Sequence, residues 1–174
     1  QKDLFNIVGQ EIDRVYLQKI KELAIRDKDQ IEIDKTIKIV YTPLHGAGNI
    51  PIRKILKERG FTNVFVVEEQ VQSDPNFSTV ESPNPEYPAA FELAIKLGSR
   101  VGAEILMATD PDADRIGLAV RNSFPHDEAI SSTAQSPISY TVLNGNQVGV
   151  LLLHYILSSK KELNQLPPNG FIIK

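Results

Sequence analysis

Cysteine is absent from the 174 residues, which excludes disulfide scaffolds and thiolate metal sites. A dominant charge is missing too. The 19 basic residues face 22 acidic ones, for a net charge of −3, and binding to nucleic acid through bulk charge is excluded. Long apolar runs are lacking: the longest, Val148 to Leu157, is interrupted by Gly149 and His154 and is too short to span a bilayer. Gln1 to Asn6 show no basic start leading into an apolar run, so no secretory signal is read there. Neither nucleic acid nor a membrane is expected as a partner, and a cytoplasmic location is. No internal repeat is found. What is present, 41% hydrophobic and 24% charged residues, is ordinary globular composition, and the length suits one domain with part of a second.

Hydrophobic periodicity sets the order of elements. Val8, Ile12, Val15, Tyr16, Ile20 and Leu23 recur at helical spacing, and a charged connector, Arg26 to Lys35, follows. The period then changes. Ile37 to Tyr41 is β-branched and short, and Thr42-Pro43 ends it. Asn49 is a candidate N-cap, Pro51 suits a first turn, and Ile52, Ile55 and Leu56 line one helix face that stops at Gly60. Val64 to Val67 reads as a strand, Ala89 to Val101 as a helix ending at Gly102, and Glu104 to Thr109 and Ile116 to Val120 as two more strands. Crossover helices make the first three strands parallel, and the short link from Thr109 to Ile116 turns the fourth back antiparallel.

The expected fold is therefore α/β: a three-layer α/β/α domain with a mixed, mostly parallel four-stranded sheet. Arg121 to Gln135 is polar and reads as a solvated loop. Beyond it, Tyr140 to Leu143 is a possible strand. Asn144 or Asn146 could cap a helix over Gln147 to Ser158 that is apolar nearly all round, and Phe171 to Ile173 reads as the start of another strand. Three segments follow from this: a linker helix and connector over 1–35, a middle α/β domain over 36–139, and the beginning of a following domain over 140–174.

The chemistry concentrates in Thr109-Asp110-Pro111-Asp112-Ala113-Asp114-Arg115. Three carboxylates alternate just past a parallel strand, where open α/β sheets place their ligands. If this loop is extended, alternate side chains point to one side. Like charges about 4 Å apart cost roughly 1 kcal/mol in water and about 4 kcal/mol at an effective dielectric near 20, a penalty that a divalent cation removes. Oxygen-only ligands favour a hard metal, with Mg²⁺ first and Mn²⁺ or Ca²⁺ after it. Arg115 adds a fork suited to phosphate oxygens. The competing reading is an acidic surface turn, since Asp and Pro are common in turns. An EF-hand is excluded, because its Gly and Glu positions hold Arg115 and Arg121.

Two other segments are weaker candidates. In His45-Gly46-Ala47-Gly48, glycines allow close backbone approach to a ligand, and a packing or turn role for His45 is as plausible as ligand contact. The proline-rich stretch from Glu68 to Pro88 reads as a connector whose Asx turns satisfy its own backbone. Ser78, Thr79 and Ser82 form no triad with a nearby His, so nucleophilic hydrolysis has no support.

Together these residues resemble a known family. The 109–115 loop is similar to the metal-binding loop of the α-D-phosphohexomutases. Tyr41 to Gly48, Asp74 to Phe77 and Ser82 to Glu86 resemble the phosphoglucomutase branch in order and spacing. Gly145-Asn146-Gln147 resembles the entry into that family's third domain, with Asn144 where the family has Thr. The resemblance implies the second domain, plus the start of the third, of a four-domain enzyme. Such enzymes interconvert hexose 1-phosphate and hexose 6-phosphate through a phosphoserine and a bisphosphate intermediate. It implies Mg²⁺ held by Asp110, Asp112 and Asp114 together with that phosphoserine, and Arg115 as a phosphate contact. The partners implied are a sugar phosphate and the other domains of the same chain. The family's serine loop is not in these residues, so the chain alone is expected to be inactive. Alternatives are phosphopentomutase activity within the same family, or an Asp-x-Asp phosphatase with Asp110 as nucleophile and Asp112 as acid/base, although such phosphatases place the pair after the first strand. A non-enzymatic sheet domain with an acidic hairpin cap is the third possibility.

Overall fold

The computed structural model describes residue 4 and residues 8–26, 34–122 and 138–173. Most of the expected connector past Arg26, most of the expected polar loop past Arg121, and most of the stretch Gln1 to Asn6 lie outside them. Two compact units are present, one over 34–152 and one over 1–33 with 153–174.

The larger unit is built on β1 (Ile39–Thr42), β2 (Val64–Val66), β3 (Ile105–Thr109), β4 (Ile116–Arg121) and β5 (Tyr140–Leu143), in the sheet order β2-β1-β3-β4-β5. β1 pairs parallel with β2 and β3, β3 pairs antiparallel with β4, and β4 antiparallel with β5. The sheet thus has five strands where four were expected. Leu118 to Arg121 would otherwise leave an edge of open N–H and C=O groups, and Tyr140 to Leu143 takes them up.

β1 is the innermost parallel strand and all four of its residues are buried. Helices α2 (Asn49–Glu58) and α3 (Glu92–Val101) make the crossovers. These run in opposite directions along the sheet, so right-handed connections put them on opposite faces. The core lies on the α3 side, where Phe91 and Ala94 meet Val40, Leu106, Ala108 and Ala119, all essentially inaccessible. On α2, Ile52, Ile55 and Leu56 are half-buried. Gly48 rather than Asn49 is the N-cap. Asn49 sits inside the helix and its side-chain amide reaches the Val71 carbonyl at 3.0 Å, a tertiary bond that outweighs local capping preference. Gly60 ends α2 in the left-handed region, with its N–H on Lys57 and that of Phe61 on Leu56, closing the last turn.

α4 (Gly145–Glu162) is the element within which the chain passes from one unit to the other. Asn144 is its cap. The Gln147 N–H donates to Asn144 Oδ1 at 3.0 Å and the Asn144 N–H to Gln147 Oε1 at 2.9 Å, a reciprocal capping box. Val148 is buried, while Val150, Leu151 and Leu152 are exposed, so the burial on all sides expected from its composition is not found. In the smaller unit, α1 (Gln10–Glu22) buries Leu17, which lies outside the expected stripe; Val8, Ile12, Val15, Tyr16 and Leu23 are exposed. Periodicity defines an amphipathic helix, but only a packed neighbour decides which face is covered. Arg26 there donates to Ser159 Oγ and Glu162 Oε2, each at 2.5 Å. Phe171 to Ile173 form no strand and are exposed, because a strand needs a neighbour for its backbone groups. Among the described residues no helix is long and apolar enough to cross a membrane.

Candidate metal centre

Thr109 is the last residue of β3, the middle strand of the sheet, and the acidic loop leaves from its carboxyl end. The loop is a folded turn, not the extended segment assumed from alternation. The Ala113 N–H donates to the Asp110 carbonyl at 3.0 Å, Pro111 occupies the second turn position, and Ala113 takes a left-handed φ of 62°. The Arg115 N–H then donates to Asp110 Oδ1 at 3.0 Å. The effect is convergence: one carboxylate oxygen each from Asp110, Asp112 and Asp114 lie within 4.8 Å of one another. Asp110 is 8% exposed, whereas Asp112 and Asp114 are open to solvent.

Arg115 follows the trio with its Nε 3.8 Å from both Asp110 Oδ2 and Asp114 Oδ1, and its side chain is more than half exposed. One positive charge therefore stands against three negative ones. The residual repulsion is about 1 kcal/mol per pair, because two of the three carboxylates face water. Hydrogen bonds within the loop hold the acids together against that cost. The donor set is all oxygen, and an octahedral shell with bonds of about 2.1 Å places its oxygens about 3 to 4.2 Å apart. The donor chemistry suits a small hard dication, and the present 4.8 Å spread is wider than that shell, so Asp112 and Asp114, both exposed, would have to close in by torsion to hold one.

The base of the loop is anchored to β1 and to the turn after it. Tyr41 Oη and Thr109 Oγ1 lie 2.9 Å apart, both buried, and burial pushes the Tyr41 phenol up to about 12. The Ala47 N–H donates to the Pro111 carbonyl at 2.8 Å. His45 does not face the carboxylates with a free nitrogen. Its Nδ1 lies 2.7 Å from the Gln72 carbonyl and its Nε2 2.7 Å from Thr79 Oγ1, and it is 7% exposed. A carbonyl only accepts, so Nδ1 carries a proton, and in the neutral imidazole the Thr79 hydroxyl donates to Nε2. Of the two roles left open for His45, the turn-and-packing role matches this geometry.

The connector from Glu68 to Pro88 satisfies its own backbone as expected. Asp74 accepts from Ser78 Oγ at 2.5 Å, Ser78 N at 2.8 Å and Asn76 N at 2.9 Å, and Asn84 Oδ1 accepts from Glu86 N at 3.0 Å. Those bonds, the Ser78 hydroxyl first, hold the Asp74 carboxyl down to about 2. The supporting roles of Tyr41, Thr109, Gln70 and Thr79 were not read from sequence. Each is a common polar residue whose partner lies on another element, and the one local signal was the polar character of Thr42 and Thr109 at the ends of apolar strands.

Residues 14–123 match the family model described as phosphoglucomutase/phosphomannomutase, alpha/beta/alpha domain II. The chain belongs to that family. The matched residues include β1 to β4 and the whole 109–115 loop of this phosphoglucomutase/phosphomannomutase domain. Phosphoglucomutases of Staphylococcus aureus strains MRSA252 and N315 are 39% and 38% identical to it over 127 residues, covering 73% of this chain and 21% of theirs. The chain thus spans about a fifth of the length of the curated relatives it matches. Among solved structures, a phosphoglucomutase/phosphomannomutase family protein from Burkholderia thailandensis aligns with a TM-score of 0.48 at 25% identity, over 63% of this chain and 21% of that one. A putative phosphomannomutase from Thermus thermophilus aligns with a TM-score of 0.48 at 21% identity, over 63% of this chain and 24% of that one.

Proposed function

We propose that this chain is the metal-holding domain of an enzyme that interconverts hexose 1-phosphate and hexose 6-phosphate through a phosphoserine and a bisphosphate intermediate. Asp110, Asp112 and Asp114 are the protein ligands of Mg²⁺, and Arg115 contacts the phosphate. Residues 36–139 carry this role, completed by β5 at the edge of the same sheet, with 1–35 as linker and the rest of 140–174 leading into the following domain. The observation that carries the reading is the convergence of three carboxylate oxygens within 4.8 Å at the carboxyl end of β3, with a guanidinium beside them.

Each residue's part follows from its placement. Asp110 is mostly buried and held by the Arg115 amide, so it is the pre-oriented ligand. Asp112 and Asp114 are exposed and free to adjust by torsion. A bound dication neutralises phosphate charge and serves as a template for the transferring group. The Arg115 guanidinium, more than half exposed, can turn from the carboxylates to a phosphate oxygen pair. The phosphoserine, the sugar contacts and the second phosphate site come from other parts of the enzyme. These 174 residues alone bind the metal weakly and turn over no sugar phosphate.

The test is a manganese titration of the chain followed by electron paramagnetic resonance, beside a mutase assay. Asp112→Ala is expected to lower Mn²⁺ affinity at least about tenfold with an unchanged far-ultraviolet circular dichroism spectrum. Equal manganese binding by wild type and Asp112→Ala would remove the metal role. Conversion of glucose 1-phosphate by the chain alone would overturn the division of labour.

A further inference from the structure

We propose that the turn between β1 and α2 is the seat of the acidic loop, with Gly46 and His45 as positioning residues that set the spacing of the three carboxylates. This rests on the metal-centre reading above and adds residues that bear no ligand atom.

Contact between the turn and the loop is backbone against backbone. A Cβ at Gly46 would lie 2.5 Å from Pro111 Cα, 2.6 Å from the Pro111 carbonyl oxygen and 2.8 Å from the Asp110 carbonyl oxygen. None of these atoms is the end of a flexible side chain. Any side chain at position 46 therefore drives the two segments apart by roughly half an ångström or more, the tolerance within which a ligand constellation must be held. Pro111 lies between Asp110 and Asp112, so the displacement falls on the spacing of two ligands. The neighbours of Gly46 fix the same segment. Ala47 donates to the Pro111 carbonyl at 2.8 Å, and a Cβ at Gly48 would meet Thr109 Oγ1 and Tyr41 Oη at 2.8 Å each. Residues 46 to 48 thus touch residues 109 to 111 at three successive points.

The seat is itself held from behind. Leu44 and His45 take left-handed φ of 46° and 65°, and Leu44 is completely buried. The His45 N–H donates to the Gln70 carbonyl at 2.9 Å, and its ring bridges Gln72 and Thr79. Gln70 Nε2 donates to Thr79 Oγ1 at 3.0 Å, while Gln70 Oε1 accepts from Thr42 Oγ1 at 2.5 Å. The chain Thr42–Gln70–Thr79–His45 therefore ties the seat to the end of β1 and the 68–80 connector without touching a carboxylate.

The experiment compares wild type, Gly46→Ala, His45→Asn and the control Gly149→Ala, whose new methyl meets open space on α4. Asn keeps the left-handed backbone available at position 45 while shortening the bridge. The readouts are Mn²⁺ affinity by electron paramagnetic resonance and hydrogen exchange of the Ala113 and Arg115 amides. Gly46→Ala is expected to lower Mn²⁺ affinity at least about tenfold and to speed both amides. His45→Asn should move both readouts in the same direction, by about threefold in affinity, and Gly149→Ala should move neither. Unchanged affinity and exchange in Gly46→Ala overturns the proposal. If Gly46→Ala does not fold, His45→Asn decides by the same criteria. Failure of wild type to bind manganese would strike the metal reading alone. Exchange at Ala113 and Arg115 then decides the seat, and unchanged rates overturn it.

Discussion

Replacing Tyr41 with Phe tests the anchor beneath the acidic loop. The ring is completely buried and its hydroxyl lies 2.9 Å from Thr109 Oγ1, on a residue itself only 3% exposed. Tyr41→Phe removes one oxygen and leaves a buried hydroxyl without its partner, a loss of about 1 to 2 kcal/mol. Thr109→Val strands the phenol in the same way and should cost a similar amount. The double variant removes both polar groups, so its cost should fall short of the sum by about 1 kcal/mol. Urea unfolding followed by circular dichroism resolves this. With a slope of about 1.5 kcal/mol per molar, each single variant moves the midpoint down by roughly 1 M. Alkaline pH gives an independent readout. Burial raises the Tyr41 phenol from its ordinary 10 to about 12, so the contribution of this group is complete below pH 10 and is lost as pH rises through about 12. Tyr41→Phe removes that portion of the alkaline loss. Strict additivity of the two single variants would refute the claim that Tyr41 and Thr109 act as one anchor.

Two further outcomes are expected. The Asp74 carboxyl is held down to about 2 by Ser78 and Asn76, so its contribution is present above its ordinary 3.8 and lost as pH falls toward 2. The gap in urea midpoint between wild type and Asp74→Ala should therefore close between pH 4 and pH 2. Asn144→Ala removes the Oδ1 that accepts from the Gln147 N–H, leaving the backbone bond to Gln147 Oε1, and should cost about 1 kcal/mol, seen as faster hydrogen exchange in the first turn of α4 with the rest of the chain unaffected.

Local chemistry was enough to recognise the order of strands and helices, the reversal at β4, the left-handed stop at Gly60 and the acidic trio. Each depends on residues within one or two turns of one another. Periodicity separates strand from helix, Gly supplies positive φ, and a six-residue link between strands leaves little choice but to turn back. The shape of the acidic loop was only half legible: its composition named the three acids, but convergence comes from the Ala113 and Arg115 amides folding back onto Asp110.

Tertiary structure alone decided the rest. The place of Tyr140 to Leu143 in this sheet, the covered face of α1 and the bridging role of His45 all depend on which distant segment arrives beside them. Tyr41 and Thr109 stand 68 residues apart, and Gly46 meets Pro111 only because β1 and β3 are neighbours in the sheet. Amino-acid pattern reports what a segment can do within its own reach. Which backbone it must fit against is set by strand pairing, and that pairing brought the Gly46 turn under the three acids.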